Sequence, residues 1–445
     1  MRSIPMATML ATMLATMLAT TACPPAGPRP CKDDTVCDEG QACVIEVDEV
    51  VGVCGAAGEG EGEGEGEGEG EGEGEGEGEG EGEGEAVATA VQTGGVFACA
   101  IDSRNRVQCW GGNSRGQLGR DTDGRADPDA GVIAGLSDVV DLAVGDTHAC
   151  AIGRLGGGAQ SIHCWGDNSG GTLGVGLQVV DPGELVSPQV PAGFGLDAVD
   201  VDADGDNNGG ITCVANDAGV VFCFGPHVPD TLDGLPRRFD ALADAARLTV
   251  STDGVCATRS NNTAVCALVT STFNSLGCTT DGPCAALDGG RAFAVETGNA
   301  CRVTGGDAHC GGDNTFGVVN PASRSAQAPL PEALVLANVS TVTVGTQHAC
   351  AISAGVVRCW GRPLFGATGV LEADVAITEP CAANQAVRCH GVITVPMPVG
   401  LSAFVELDTH RTQSCARTLT GQVACFGSIN DADEGARPRI VPLAP

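Results

Sequence analysis

Tyrosine is absent from the 445 residues, lysine occurs once (Lys32), and only 14 residues are aromatic. Against 23 basic side chains stand 57 acidic ones, a formal net charge of −34. A chain so short of cations has little with which to neutralise phosphates, which argues against nucleic acid as a partner. Scarce aromatics weaken the case for carbohydrate, which is usually held on exposed aromatic platforms. Long runs of 3.6-residue periodicity are missing, and with them long amphipathic helices. No nucleophile elbow, phosphate loop or His-Glu-x-x-His element is present, and no cofactor is expected.

Cysteine and glycine are abundant instead, at 23 and 67 residues. That many cysteines without a metal motif point to an oxidising compartment, and their odd number leaves one to explain. Residues 1–22 read as an export signal: Arg2 precedes a run of mostly apolar or small residues that is too short and too weakly hydrophobic for a comfortable membrane span. Five of the six methionines lie in this segment. Its end, Ala19-Thr20-Thr21-Ala22-Cys23, resembles a bacterial lipoprotein cleavage site with Cys23 as the lipidated residue, although Thr20 stands where leucine is usual. Residues 23–57 add a small module with Cys31, Cys37, Cys43 and Cys54, whose pairing has three alternatives. Residues 58–85 are strict Gly-Glu alternation with 14 Glu. With nothing to bury and like charges throughout, this linker is expected to be disordered, about 30 Å end to end as a neutral coil and at most about 95 Å extended.

From residue 86 the chain repeats itself. Seven segments carry one cysteine, a short hairpin-like stretch and a second cysteine, with first cysteines at 99, 150, 213, 256, 301, 350 and 415. Short alternation precedes each, as in Val342-Thr343-Val344-Gly345, and predicts strands. In the sixth segment a two-residue turn at Ala354-Gly355 sets Cys350 opposite Cys359. Counted out from the turn, they fall on a non-hydrogen-bonded pair, where α-carbons approach most closely. Gly305-Gly306 does the same for Cys301 and Cys310. Four segments with one more residue require three-residue loops with a left-handed third position; those positions are Asn105, Gly219, Asn262 and Gly421, all tolerant of positive φ. The expected disulfides are therefore Cys99–Cys109, Cys150–Cys164, Cys213–Cys223, Cys256–Cys266, Cys301–Cys310, Cys350–Cys359 and Cys415–Cys425. Cys278–Cys284 and Cys381–Cys389 staple connections between repeats. Cys23 is then the odd one.

His148-Ala149-Cys150-Ala151-Ile152, Trp110 to Gly119 and Trp165 to Gly174 resemble the repeat of the regulator-of-chromosome-condensation family, over residues 86–445; the likeness fades where Ala267 and Gly311 replace the aromatic. The resemblance implies an all-β fold, a seven-bladed β-propeller with intrablade disulfides, preceded here by the disulfide-rich module and the Gly-Glu linker. It gives His148 and His348, with Phe97 in the first repeat, a structural position, and makes Trp110, Trp165 and Trp360 inter-blade packing. The segment Arg437–Leu443 is expected to close the ring by pairing into the first blade.

Asp200-x-Asp202-x-Asp204-Gly205 has calcium-loop spacing but lacks the acidic twelfth residue, where Ile211 stands, so it is a weak candidate and no other metal ligand is expected. Family members include an exchange factor, a photoreceptor and a secreted enzyme inhibitor, so fold does not fix function. The residues before 86 carry 3 basic and 21 acidic side chains, which leaves the propeller at −16. The expectation is a non-catalytic binding module, the propeller serving as a protein-interaction platform on an envelope lipoprotein at the outer membrane or cell surface. A monomer is expected to meet another envelope or extracellular protein, touching the membrane through its lipid alone. The alternatives are a secreted enzyme inhibitor, a carbohydrate binder, or a hydrolase or lyase using Asp or His of the central funnel.

Overall fold

The computed structural model describes residues 86–191, 194–206, 209–228, 233–252, 254–267, 282–284, 293–296, 299–319, 327–333, 336–364, 367–370, 379–380, 388–428 and 437–445, together with 30–31, 41–44 and 52–56. The chain divides into two compact units, Met1–Glu77 and Gly78–Pro445. In the first, Pro30–Cys31, Gly52–Ala56 and Gln41–Val44 make one antiparallel sheet in that order, with Cys43 opposite Cys54 and Cys31 opposite Gly52. The signal 1–22, the anchor Cys23, Cys37 and the spacer 58–85 lie outside the described residues.

The second unit is a ring of seven antiparallel sheets, one per repeat. Blade 1 shows the plan: inner strand Ala88–Thr93, the hairpin Phe97–Asp102 and Val107–Gly111, and outer strand Asp127–Val132. The hairpin turns follow from their residues. Ala354 and Gly355 have φ of 51° and 72°, Gly305 and Gly306 63° and 87°, and the third positions Asn105, Gly219, Asn262 and Gly421 55°, 70°, 62° and 79°. All seven cysteine pairs are directly opposed, with α-carbons 4.0–4.1 Å apart, and all seven are disulfides. Cys284 is also disulfide-bonded, while Cys278 and Cys381 lie outside the described residues and only the backbone of Cys389 is described.

The apolar core lies between blades, because each sheet buries both faces against its neighbours. The residue after the second cysteine reaches into the preceding blade. Trp165 packs with Phe97 and Ile101 of blade 1, Phe224 with Ile152 and Ile162 of blade 2, Trp360 with Val303 and Val319 of blade 5, and Phe426 with Ile352 and Val357 of blade 6. Trp110 closes the ring against Val423 and Cys425 of blade 7. Trp165 and Trp360 also donate their indole N–H to the preceding blade, to the carbonyls of Gln117 (2.9 Å) and Val318 (2.6 Å).

Ring closure differs from the expectation. The strand Arg439–Val441 pairs with Val423–Gly427 and is the outer strand of blade 7, whereas blade 1 supplies its own from Asp127–Val132. Each Pro- and Val-bearing segment completes the repeat before it, not the one after it, so no strand is exchanged. The tail still meets blade 1: the Gln108 side chain donates to the Ala444 carbonyl at 3.0 Å and accepts from its N–H at 2.7 Å.

Candidate functional site

The seven inner strands, Ala88–Thr93, Leu136–Val144, Ala198–Asp206, Ala245–Ser251, Phe293–Glu296, Val339–Val344 and Phe404–His410, surround a central channel of about 410 Å³. Each is a sheet edge, and the disulfide register determines how it is oriented. Both cysteines of a hairpin sit on a non-hydrogen-bonded pair, so the first cysteine turns its N–H and C=O toward the inner strand. Its partners there are Gln92, Ala143, Asp202, Thr249, Ala294, Thr343 and Asp408. The residues flanking those partners must then aim their N–H groups away from the sheet, into the channel. An open edge of this kind needs donors satisfied from elsewhere.

Carboxylates satisfy them, each reaching from one blade to the next. Asp141 Oδ2 accepts from Val201 N (2.8 Å); Asp200, Asp202 and Asp204 Oδ2 accept from Leu248 N (2.6 Å), Val250 N (2.7 Å) and Thr252 N (2.7 Å). At the closing seam Glu406 Oε1 accepts from Val91 N (3.3 Å), and Asp408 Oδ2 accepts from both Thr93 N (2.6 Å) and Thr93 Oγ1 (2.7 Å). Burial in the wall raises these acids: Asp141 to about 7, helped by the negative charge of Asp200, Asp200 itself to about 6, and Asp202 well above the usual carboxylate range. Burial likewise raises Glu406 and Asp408, although Arg417 Nε lies 2.6 Å from Glu406.

The residues singled out as a weak calcium candidate thus form a row. Alternate residues of an extended strand are about 6.6 Å apart, so Asp200, Asp202 and Asp204 cannot gather round one ion as a loop would. Only Asp204 joins a cluster, at the channel mouth on the side of the turn after each inner strand. There Asp204, Glu296 and His410, from blades 3, 5 and 7, bring ligating atoms within 4.8 Å of one another. His410 Nδ1 is 3.5 Å from Asp204 Oδ1 and 3.9 Å from Glu296 Oε2, and Nε2 is 3.9 Å from Asp146 Oδ1 of blade 2. Arg411 Nε holds Asp146 Oδ1 at 3.0 Å. Burial raises Asp204 to about 7 and lowers His410 to about 3, so the imidazole is neutral.

Glu296, His410 and Asp146 escaped the sequence reading, yet a signal exists. In six repeats the residue five before the first cysteine is Gly94, Gly145, Ser251, Glu296, Gly345 or His410, a position at the channel mouth that is mostly small. Glycine suits it in blades 2 and 6 because a Cβ on Gly145 or Gly345 would fall 2.4 or 2.5 Å from Cε1 of His148 or His348. Those two histidines clasp the next blade, His148 Nε2 at 2.7 Å from Thr212 Oγ1 and His348 Nε2 at 3.2 Å from Ser414 Oγ. Burial lowers His148 to about 4.

Seven antiparallel sheets about a channel, each pinned by a disulfide across its central hairpin, define the class: a disulfide-bonded seven-bladed β-propeller. Residues 88–117 match the Regulator of chromosome condensation (RCC1) repeat, so the chain carries the repeat that its cysteine–tryptophan motif resembles. Among solved structures it is similar to yeast RCC1 (Prp20) bound to Kap60, at 16% identity and a TM-score of 0.41, covering 79% of this chain and 74% of that one. It is also similar to the CRINKLY WD40 ectodomain of the Arabidopsis thaliana receptor kinase ACR4, at 19% identity and a TM-score of 0.45, covering 80% of this chain and 99% of that one. No curated protein matches.

Proposed function

We propose that the propeller is a non-catalytic platform for a protein partner, carried at the cell surface on a lipid at Cys23 and the Gly-Glu tether. Strand order supports a single working face. Connections from third to outer strand, such as 112–126 and 167–185, leave on the same side as the turns after the inner strands, whereas hairpins as short as Ala354-Gly355 close the other side. The observation that carries the reading is what this face exposes. Leu177 and Val179, on one of these connections, are 62% and 96% exposed, and every large hydrophobic residue exposed among the described residues is aliphatic. Exposed aliphatic side chains are surface that a protein partner can bury, whereas a sugar would call for an aromatic platform.

The wall acids support the non-catalytic part of the reading, since capping backbone donors occupies them. A photo-cross-linking residue at position 179 should trap a specific envelope or secreted protein, and one at the exposed Val140, toward the opposite end of its inner strand, should not. Equal labelling at both positions, or glycan-array binding without protein cross-links, would refute it. For the anchor, intact mass should show acyl chains on Cys23 and none after Cys23→Ser.

A further inference from the structure

We propose that Asp204, Glu296 and His410 form a binding site for one divalent transition-metal ion of the Mn²⁺ or Zn²⁺ class, at the loop-face mouth of the channel. The inference is independent of what binds the loops. Three blades far apart in sequence deliver one imidazole nitrogen and two carboxylates to one point, with all ligating atoms within 4.8 Å. Ligands about 2.0–2.2 Å from a metal stand roughly 3–3.5 Å from one another, so the observed 3.5 and 3.9 Å from His410 Nδ1 need only a small contraction.

The ligands are already oriented. Asp204 Oδ1 accepts from Gly205 N and Oδ2 from Thr252 N, both at 2.7 Å, which leaves each oxygen a lone pair. Thr346 Oγ1 donates to Glu296 Oε1 at 3.4 Å, while Oε2 faces the imidazole.

A second observation points to a ligand independently of the acids. The His410 side chain is only 7% exposed, and its Nε2 is fully buried without a hydrogen-bond partner. The other ring nitrogen, Nδ1, is the one aimed at Asp204 and Glu296. A metal on Nδ1 leaves the proton on Nε2, pointing at Asp146, which Arg411 holds in place. One nitrogen with two carboxylates favours Mn²⁺ or Zn²⁺ over Ca²⁺, which takes an all-oxygen shell. The ion would also offset the negative charge that the wall acids concentrate there.

The test is Mn²⁺ titration of the chelator-stripped full chain, read by the loss of the free-ion electron paramagnetic resonance signal, with Zn²⁺ and Ca²⁺ as competitors. The spacer is common to all variants, so any difference reports the site. One saturable Mn²⁺ per chain is expected, displaced by Zn²⁺ and not by equimolar Ca²⁺, with a pulsed-resonance nitrogen coupling that disappears in His410→Gln. Glu296→Gln should weaken the site at least about tenfold. Near-UV circular dichroism confirms folding, and Glu296→Gln carries the test where His410→Gln does not fold. No saturable site, equal binding by wild type and Glu296→Gln, no nitrogen coupling, or preference for Ca²⁺ would each overturn the proposal.

Discussion

The seams between blades 3 and 4 and between blades 6 and 7 join the same kind of sheets in different ways. At the 3/4 seam three aspartates, Asp200, Asp202 and Asp204, cap the open edge of blade 4, and the aromatic position behind them is only Ala267. At the 6/7 seam Phe426 fills the interface, and the inner contacts are neutral: Thr343 Oγ1 to Thr409 Oγ1 at 2.7 Å and His348 to Ser414. Blade contact therefore does not need charge. At the 3/4 seam buried carboxylates bonded to backbone donors fix the register, as Glu406 and Asp408 also do beside Trp110 at the closing seam, and they make these seams responsive to pH.

Removing the plug should have the largest effect. Phe426→Ala is expected to cost about 3–5 kcal/mol in denaturant unfolding, whereas Ala267, already small, leaves no equivalent loss to make at the 3/4 seam. Next comes the loss of a cap. Asp202→Ala orphans Val250 N and should cost about 1–3 kcal/mol, with Asp202→Asn costing less because its amide oxygen still accepts.

The pH dependence follows the acids. Asp141 and Asp200 titrate higher in the fold, at about 7 and 6, than in the unfolded chain. The native state therefore holds protons that the unfolded state has released. Their contribution is full below about pH 4 and is lost as pH rises through 6 and 7. His148 and His410, depressed in the fold, act oppositely, destabilising as pH falls below about 6.5. Thermal melts of chelator-treated protein should thus show a decline from pH 6.5 to 8, by about one or two degrees, and Asp141→Asn should flatten it. The smallest effect belongs to the neutral seam: Thr343→Val should change stability by no more than about 1.5 kcal/mol and leave the pH slope untouched.

The hairpins were legible in the sequence because their determinants are local: cysteine spacing and a residue tolerant of positive φ together fix turn and register. The channel was less so. A site drawn from seven inner strands depends on ring closure, and four extra residues between Asp202 and Cys213, relative to the seven-residue offset elsewhere, hide the alignment of blade 3. Its aspartates read as a calcium loop because their spacing is visible and their strand partners are not, and Glu296 and His410, single departures from small residues, carried no motif. The blade that the C-terminal strand completes is hidden for a related reason. Connections of varying length obscure which hairpin an outer strand completes.

The central claim is that the wall acids are backbone caps, and amide hydrogen exchange at Val250 tests it most directly. This N–H faces the channel rather than a neighbouring strand, yet should be strongly protected, because Asp202 accepts from it. In Asp202→Ala that protection should fall selectively, with the amides of Val201 and Thr93, capped by Asp141 and Asp408, unchanged. Exchange at Val250 that is equally slow with and without the Asp202 carboxylate would contradict the claim.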